Sequence, residues 1–359
     1  MPFEPVEKLD TITESEPAND LAVMLDSNEA FYDLNKEIPG ISDRIAAELG
    51  NIAFNRYPDT DSIQLEKALA DYYETSPDYI TAGNGSDEII NLVEGALFQK
   101  GDIILTLSPD FSMYAFYGNV CELKTVTLQK DDNFTIDISR VISYCNNNNV
   151  KGVIFSNPCN PTSVGVSRDD IARLLKNVFC LVIIDEAYMD FWTESAVPLV
   201  KEYDNLVVIK SLSASPGIAA LRMGCAIACE DITAALRKAK PSNISALTSA
   251  AVCAVLDEKE KIGGFIERVI ESRDYLAMHL REFVKTSTFI DKVYESSANF
   301  IYVKTAYAQL IHDKLEEVSV SVRALKGFLR ITAGTREQDD LIITTIENAA
   351  HELEKGGEL

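Results

Sequence analysis

The feature that most constrains the fold of this chain is the alternation of short apolar runs with amphipathic segments between residues 60 and 229. The segments between the runs have the period of a helix, as in SIQLEKALADYYE (62–74) and SDEIINLVEGALF (86–98). The apolar runs are DIILTL (102–107), VKGVIF (150–155), CLVIIDEAY (180–188) and NLVVIKS (205–211). Strands that are apolar along their whole length and alternate with helices indicate a mostly parallel sheet covered on both faces.

The pattern changes after about residue 229, where helical segments dominate as far as residue 285. Strand-like runs follow at 299–304, 319–325 and 328–333, and a helix-like segment comes after them. We therefore predict an α/β fold with a large domain over residues 36–250 and a small α+β domain over residues 251–359. The N-terminal arm, residues 1–35, is expected to join the small domain.

Charge and composition exclude several classes of function. The formal net charge of -23 opposes binding to nucleic acid or to an anionic membrane surface. No apolar run has the length of a membrane span, and the acidic N-terminus lacks the apolar core of a signal peptide. The seven cysteines are odd in number and lie mostly in apolar runs, which is typical of reduced cytosolic thiols. We therefore predict a cytoplasmic protein.

Histidine and cysteine usage argues against a metal centre. The chain has only three histidines, His279, His312 and His351, and all lie in helix-like stretches of its last quarter. Cys225 and Cys229 are close in sequence but lack the further ligands that a zinc site requires. A Ser-His-Asp triad is equally unexpected. Any acid–base chemistry must come from other side chains or from a bound cofactor.

Polar motifs follow the apolar runs, where open parallel sheets bind their ligands. In GNGSDE (83–88) the glycines let backbone amides converge on an anion, although Gly-rich turns before helices are common. SNPCNPTS (156–163) offers the amide of Asn160, and IIDEAYMDF (183–191) supplies Asp185 and Tyr188. A buried carboxylate needs a cationic partner, but Asp185 alone could also be a helix cap and Tyr188 a core residue.

Seven motifs in order resemble the histidinol-phosphate aminotransferase group of fold-type I pyridoxal-phosphate enzymes. They are NRYPD (55–59), GNGSDE, SPDFSMY, NPCNPT, DEAYMDF, SLSASPGIAALRMG and LRITAGT. The resemblance covers about residues 25–350. It implies the fold-type I fold, pyridoxal 5′-phosphate as cofactor, and transfer of an amino group between an L-amino acid or amino phosphate and a 2-oxo acid. Threonine-phosphate decarboxylases share these motifs, so decarboxylation of a phosphorylated amino acid is the alternative.

The resemblance also implies how individual residues would hold the cofactor. Asp185 would pair with the protonated pyridine nitrogen and keep the ring an electron sink. Asn160 and Tyr188 would bind its phenolic oxygen, and Phe111 would stack on the ring. The phosphate would be held by the backbone amides of Ser86 and Asp87, the hydroxyls of Ser211 and Ser213, and the guanidinium of Arg222. Tyr57 would reach the phosphate bound by the neighbouring subunit, which implies a homodimer.

For the substrate, the resemblance implies three further residues. Arg330 would hold the acidic group, because a guanidinium binds a carboxylate in a bidentate manner. Arg323 would help at a distal phosphate or carboxylate, and Asn28 would line the substrate entrance, although both could equally be surface residues. Ser242 stands where relatives often have Tyr or Trp, and a Pro-Tyr element near the N-terminus is absent. Histidinol phosphate is therefore only one candidate substrate.

Ala214 stands where the group has the lysine that binds the cofactor covalently and transfers the proton. A methyl group can do neither, so we expect noncovalent cofactor binding and negligible turnover. Lys210 is no obvious substitute, since it lies in the preceding predicted strand. Either the chain is an engineered Lys→Ala variant, which the otherwise complete site favours, or it is a natural descendant that lost catalysis. A noncatalytic pyridoxal-phosphate-binding protein follows only in the second case.

Overall fold

A computed structural model describes residues 23–356 and shows an α/β fold. The strands are β1 (Val23–Met24), β2 (Ile80–Gly83), β3 (Ile103–Ser108), β4 (Lys124–Gln129), β5 (Val150–Ser156), β6 (Leu181–Asp185), β7 (Leu206–Ser211), β8 (Gly224–Ala228), β9 (Lys292–Val293), β10 (Phe300–Lys304), β11 (Val320–Ser321), β12 (Arg323–Leu325) and β13 (Phe328–Thr332). The helices are α1 (Leu34–Glu37), α2 (Ile41–Gly50), α3 (Ile63–Tyr72), α4 (Gly85–Leu97), α5 (Met113–Val120), α6 (Ile138–Asn147), α7 (Arg168–Asn177), α8 (Glu230–Ala239), α9 (Ala246–Leu256), α10 (Lys259–Val284), α11 (Ala308–Glu317) and α12 (Arg336–Gly356).

The central sheet has seven strands in the order β2-β8-β7-β6-β5-β3-β4. Strands β3 to β7 pair in parallel, whereas β8 runs antiparallel to both of its neighbours, β7 and β2. Side chains alternate between the two faces along each strand, so a sheet covered on both faces requires apolar residues at every position. In β5, Val153 and Phe155 enter one core while Ile154 enters another, on the opposite face with Ile89 and Ile90 of α4. The predicted mostly parallel sheet is confirmed.

A second, smaller core surrounds the antiparallel sheet β12-β13-β10-β9. Helix α10 contributes to both cores, since Phe265 and Val269 pack in the larger one whereas Leu276 and Leu280 pack in the smaller one. The domain boundary predicted after residue 250 falls inside α9, and Val252 and Val255, beyond it, still pack in the larger core. The predicted strand at 319–325 is in fact two strands, because β11 pairs with β1 and β12 pairs with β13.

The N-terminal arm lies partly outside the described residues, which begin at Val23. In the part that is described, Val23 and Met24 pair in parallel with Val320 and Ser321, and Leu25 enters the smaller core. Tyr32 and Leu34, later in the predicted arm, pack in the larger core instead. Within residues 23–356, every helix is too short or too polar to cross a membrane.

The carboxyl ends of the parallel strands bring the polar motifs together. Strand β5 ends at Ser156, β6 at Asp185 and β7 at Ser211, and Ser156 is the register partner of Asp185. Helix α4 begins two residues after β2 ends, at Gly85. The loops after these strands surround one cavity, at the edge where open α/β sheets bind ligands.

Candidate functional site

A cavity of about 610 Å³ lies at the carboxyl edge of the central sheet. Among its lining residues are nearly all those singled out from the sequence: Asn28, Ser86, Asp87, Phe111, Asn160, Asp185, Tyr188, Ser211, Ser213, Ala214, Arg222, Arg323 and Arg330. Tyr57 is not among them, and its side chain is exposed at the surface. A slightly larger cavity of about 670 Å³, between α2 and α9, contains none of these residues. The sequence motifs therefore meet at one place, and the cavity at the sheet edge is the candidate site.

Asp185 is a buried carboxylate at the end of β6, with 3% of its surface exposed. Its Oδ2 accepts a hydrogen bond from the Tyr114 hydroxyl at 2.8 Å, and its Oδ1 accepts one from the backbone amide of Ala187 at 3.0 Å. Burial raises the pKa of Asp185 to about 6, and no cation among residues 23–356 forms an ion pair with it. A desolvated carboxylate without a cation fits a ligand that brings its own positive charge, as a protonated pyridine nitrogen does.

The N-terminus of α4 forms one end of the cavity. The Asn84 side chain makes no capping hydrogen bond there, and the Asn84 backbone amide donates to Glu88 Oε2. A Cβ atom at Gly224 would lie 2.7 Å from the backbone nitrogen of Ser86, so only glycine there lets the helix end lie against β8. Arg222 adopts a left-handed conformation (φ 49°) and places Nη2 3.4 Å from Asp87 Oδ2. Free amides beside a guanidinium and the hydroxyls of Ser211 and Ser213 fit a phosphate group.

Tyr188 and Asn160 meet in the middle of the cavity wall. The Tyr188 hydroxyl accepts hydrogen bonds from Asn28 Nδ2 at 2.9 Å and from Asn160 Nδ2 at 3.3 Å. Asn28 is buried and also donates its backbone amide to Thr332 Oγ1 at 3.2 Å, so it is not the surface residue allowed as an alternative. Burial raises the pKa of Tyr188. This phenol therefore stays protonated at neutral pH and can donate a hydrogen bond to a ligand oxygen.

Two arginines line the cavity from the smaller sheet. Arg330 donates from Nη1 to Asn160 Oδ1 at 2.7 Å and from Nη2 to the carbonyl oxygen of Asp26, while its buried Nε has no partner among the described residues. Arg323 is exposed and is the register partner of Arg330 across β12 and β13. Burial lowers the pKa of Arg330, and the Arg323 charge adds to this effect. A pair of guanidiniums with a spare donor fits an anionic substrate group.

Ala214 lies in the loop between β7 and β8 with 5% of its surface exposed. The loop is held by backbone hydrogen bonds, from the Leu212 amide to the Met223 carbonyl at 3.0 Å and from the Ile218 amide to the Leu212 carbonyl at 3.1 Å. Lys210 lies in β7, as expected, and its buried Nζ is 2.7 Å from Glu186 Oε2. Since this ion pair holds Lys210 and its side chain is not part of the cavity wall, it cannot replace a lysine at position 214.

Two polar residues that line the cavity and form buried contacts there, Tyr114 and Asp110, were not singled out from the sequence. Tyr114, the partner of Asp185, lies one helical turn after Phe111 in SPDFSMY, so the motif itself contained the signal. Asp110 lines the cavity and pairs with buried Lys130, but nothing in the sequence links residues from two different segments. Ser242 is exposed and does not line the cavity, and the absent Pro-Tyr element falls before residue 23, outside the described residues.

A possible metal site lies elsewhere. Among the described residues, His312, Asp313 and Glu316 on α11 are the one group with ligand atoms close enough to share an ion, and they do not line the cavity. The cavity side chains are instead hydrogen-bond donors and carboxylates suited to an organic cofactor.

Comparison with known proteins agrees with this geometry. The family profile described as "Aminotransferase class I and II" matches residues 22–346. A curated histidinol-phosphate aminotransferase from Clostridium novyi is 37% identical over 331 residues, which cover 90% of this chain and 91% of that protein. The crystal structure of histidinol-phosphate aminotransferase from Sinorhizobium meliloti in complex with pyridoxal-5′-phosphate has a TM-score of 0.85 at 19% identity, covering 97% of both chains.

A structural relative named for the alternative activity has a lower TM-score. L-threonine-O-3-phosphate decarboxylase from Porphyromonas gingivalis has a TM-score of 0.76 at 21% identity and covers 91% of this chain and 98% of that chain. Identity at this level shows a shared fold alone. The comparisons therefore favour amino-group transfer over decarboxylation.

Proposed function

Because this chain belongs to the class I and II aminotransferase family, we propose that its sheet-edge cavity binds an amine with an anionic distal group beside the cofactor. The protein is a pyridoxal-phosphate-dependent aminotransferase of the histidinol-phosphate aminotransferase group. The single observation that supports the site most strongly is the buried Asp185 carboxylate, which pairs with no cation among the described residues. Pyridoxal phosphate, when bound, supplies an electron sink for the amino acid's α-carbon.

Each polar group of the cavity has a role in holding the cofactor. Asp185 would keep the pyridine nitrogen protonated, because an ionised partner in a water-poor site favours the charged ring. The Tyr188 hydroxyl and the Asn160 amide would donate to the phenolic oxygen, and Phe111 would stack on the ring. The backbone amides of Ser86 and Asp87, the hydroxyls of Ser211 and Ser213, and Arg222 would hold the phosphate.

The arginines select the substrate. Arg330 presents its unpartnered Nε to an acidic group, and Arg323, nearer to solvent, binds a more distal phosphate or carboxylate. Asn28 fixes the Tyr188 ring through its 2.9 Å hydrogen bond and lines the substrate space. Histidinol phosphate, which gives the curated relatives their name, carries such a phosphate and is the first amine to test, with glutamate as a second donor.

We also propose that two copies of the chain form the working unit. Phe54, Tyr57 and Ile63 are large apolar or aromatic side chains that are 80%, 95% and 65% exposed, on one segment before and at the start of α3. A second copy that covered this segment would remove the exposed apolar surface. Tyr57 would then reach the phosphate in the partner's cavity. The cytoplasmic location stays a prediction from cysteine usage.

The chain as it stands binds the cofactor without a covalent bond and turns over negligibly. Position 214 faces the cavity, but a methyl group has neither a nucleophile for the cofactor's aldehyde carbon nor a base for the substrate's α-proton. An ancestor or parent with lysine at this position would supply both.

The test is the Ala214→Lys variant, with the Ala214 chain as the matched control. With pyridoxal phosphate, the variant should develop the visible absorbance band of a lysine-bound cofactor, and the control should not. Histidinol phosphate or glutamate should then convert this band to that of the aminated cofactor and release the carbonyl product. Carbon dioxide release from threonine phosphate would instead establish the decarboxylase. No band and no product would favour a noncatalytic binding protein.

A further inference from the structure

A buried ion pair lies directly behind the cavity wall. Lys130, immediately after β4, places Nζ 3.0 Å from Asp110 Oδ2, and the two side chains are 1% and 2% exposed. Lys130 Nζ also lies 2.9 Å from Cys159 Sγ. Asp110 lines the cavity, whereas Lys130 is set behind it. Burying two charges is unfavourable and adds little net stability, so this pair calls for a role beyond stabilising the fold.

Asp110 joins the loop that carries Phe111 to the loop that carries Asn160. Its Oδ1 accepts hydrogen bonds from the backbone amides of Phe111 at 2.9 Å and Ser156 at 3.2 Å, and from the Ser156 hydroxyl. Ser156 Oγ in turn accepts the backbone amide of Asn160 at 3.0 Å. One carboxylate therefore fixes both the loop that carries the stacking aromatic residue and the loop that carries the asparagine.

Asp110 also interacts electrostatically with Tyr114 and Asp185, the carboxylate that we propose pairs with the ring nitrogen. The Tyr114 hydroxyl donates to Asp185 Oδ2 at 2.8 Å. The titratable groups that face Asp110 are Lys130, Cys159, Tyr114 and Asp185. Among these described groups, Lys130 is the one cation.

We propose that Lys130 is a positioning residue for the cofactor: by keeping Asp110 ionised, it holds the Phe111 and Asn160 loops in the arrangement that receives the pyridine ring. An ionised carboxylate only accepts hydrogen bonds, and Asp110 is surrounded by donors. A protonated Asp110 would give up one of these acceptor positions and present a donor instead. The proposal rests on the proposed function in one respect, that pyridoxal phosphate occupies this cavity.

In Lys130→Met, the deficit in cofactor affinity should shrink as the pH rises, whereas the deficit in stability should grow. Burial raises the pKa of Asp110 and Lys130 opposes that rise, so removing Lys130 raises the pKa further. Below the new pKa, Asp110 is neutral and the loops lose their fixed arrangement. Above it, Asp110 again accepts all its hydrogen bonds, but as an unpaired buried charge that destabilises the fold.

The experiment compares the chain with its Lys130→Met variant at several values between pH 6 and pH 9, measuring both thermal unfolding without cofactor and the Kd for pyridoxal phosphate by equilibrium dialysis. We expect the variant to bind about tenfold more weakly at pH 6 and to approach the unaltered chain at pH 9. Its deficit in Tm should grow over the same range. A merely structural role would lower affinity and stability together.

Two further variants keep the result interpretable. Lys130→Met/Asp110→Asn has no buried charge, so it should fold even if the single variant does not, and its affinity deficit should be independent of pH. Lys124→Met, at an exposed position on β4, should match the unaltered chain.

Two results would overturn the role of Lys130 while leaving the proposed cofactor site in place. One is a ratio of Kd values, Lys130→Met to unaltered chain, that does not change with pH. The other is a double variant that binds as well as the unaltered chain. Failure of the unaltered chain to bind pyridoxal phosphate at any pH would overturn the proposed site, and this proposal with it.

Discussion

Replacing Asp185 with Asn tests whether the buried Asp185 carboxylate destabilises the folded protein in the absence of cofactor. Burial raises the pKa of Asp185 from 3.8 to about 6. Because the folded-state pKa lies above the unfolded value, this group stabilises the folded chain at low pH, and the contribution is lost as the pH rises through about 6. The difference of about two pKa units corresponds to ~3 kcal/mol of folding free energy above pH 6.

Asparagine does not titrate, so the variant lacks this pH-dependent loss. It also replaces one acceptor oxygen by an amide, opposite either Tyr114 or the Ala187 amide, which costs about 1 kcal/mol at every pH. The free energy of unfolding of Asp185→Asn relative to the unaltered chain should therefore rise by about 1.5 kcal/mol between pH 5 and pH 8, the half of the loss that develops there. Urea denaturation of the cofactor-free protein measures this difference.

The cofactor should reverse the order of stability. We expect bound pyridoxal phosphate, protonated on its ring nitrogen, to pair with Asp185. The unaltered chain should then gain stability by mass action, whereas Asp185→Asn should bind at least about tenfold more weakly. Asp169→Asn, at an exposed position on α7, serves as control for the loss of a carboxylate. If the difference in unfolding free energy between Asp185→Asn and the unaltered chain is constant from pH 5 to pH 8, Asp185 does not have a raised pKa in the folded protein.

Two further predictions concern the phosphate end of the cavity. Gly224→Ala would place a Cβ 2.7 Å from the backbone of Ser86, which cannot yield, so cofactor affinity should fall at least about tenfold. Gly95→Ala is the control, because its Cβ would lie an ordinary 3.6 Å from Cys121 Sγ, and it should keep the affinity of the unaltered chain. When a Tyr57→Phe chain is coexpressed with an Arg222→Gln chain, their mixed dimers should have one intact phosphate site if Tyr57 contacts the phosphate in the partner's cavity. Equilibrium dialysis that finds no site of unaltered affinity in those dimers would contradict the shared site.

Much of the site was predictable because its residues follow buried strands directly. The apolar run that ends at Asp185 is β6, and the run that ends at Ser211 is β7, so parallel pairing alone brings their ends to one edge. The glycine-rich segment at residue 83 likewise became the turn between β2 and α4. At these positions, the residues that define the strand or turn in the sequence also determine where the polar side chain lies in the fold.

The rest depends on contacts between distant segments. Asn28 looks like a surface residue in its own segment, and it is buried because β1 pairs with β11 and brings it against Tyr188 and Thr332. Lys130 looks like a solvated lysine at a strand end, yet it is buried against Asp110. Neither burial has a local signature, since each results from the packing of segments far apart in the sequence.

The geometry around Ala214 predicts that cofactor binding and catalysis are separable in this chain. The loop that carries it is held by backbone hydrogen bonds of Leu212 and Ile218, none of which involves the side chain at position 214. The groups expected at the ring, Asp185 and Tyr188, take their positions from β6 and from Asn28. Removing a lysine from such a loop would take away the nucleophile and the base without disturbing the cofactor's other contacts. Lysine at position 214 should therefore be sufficient to restore chemistry, with no second change elsewhere in the site.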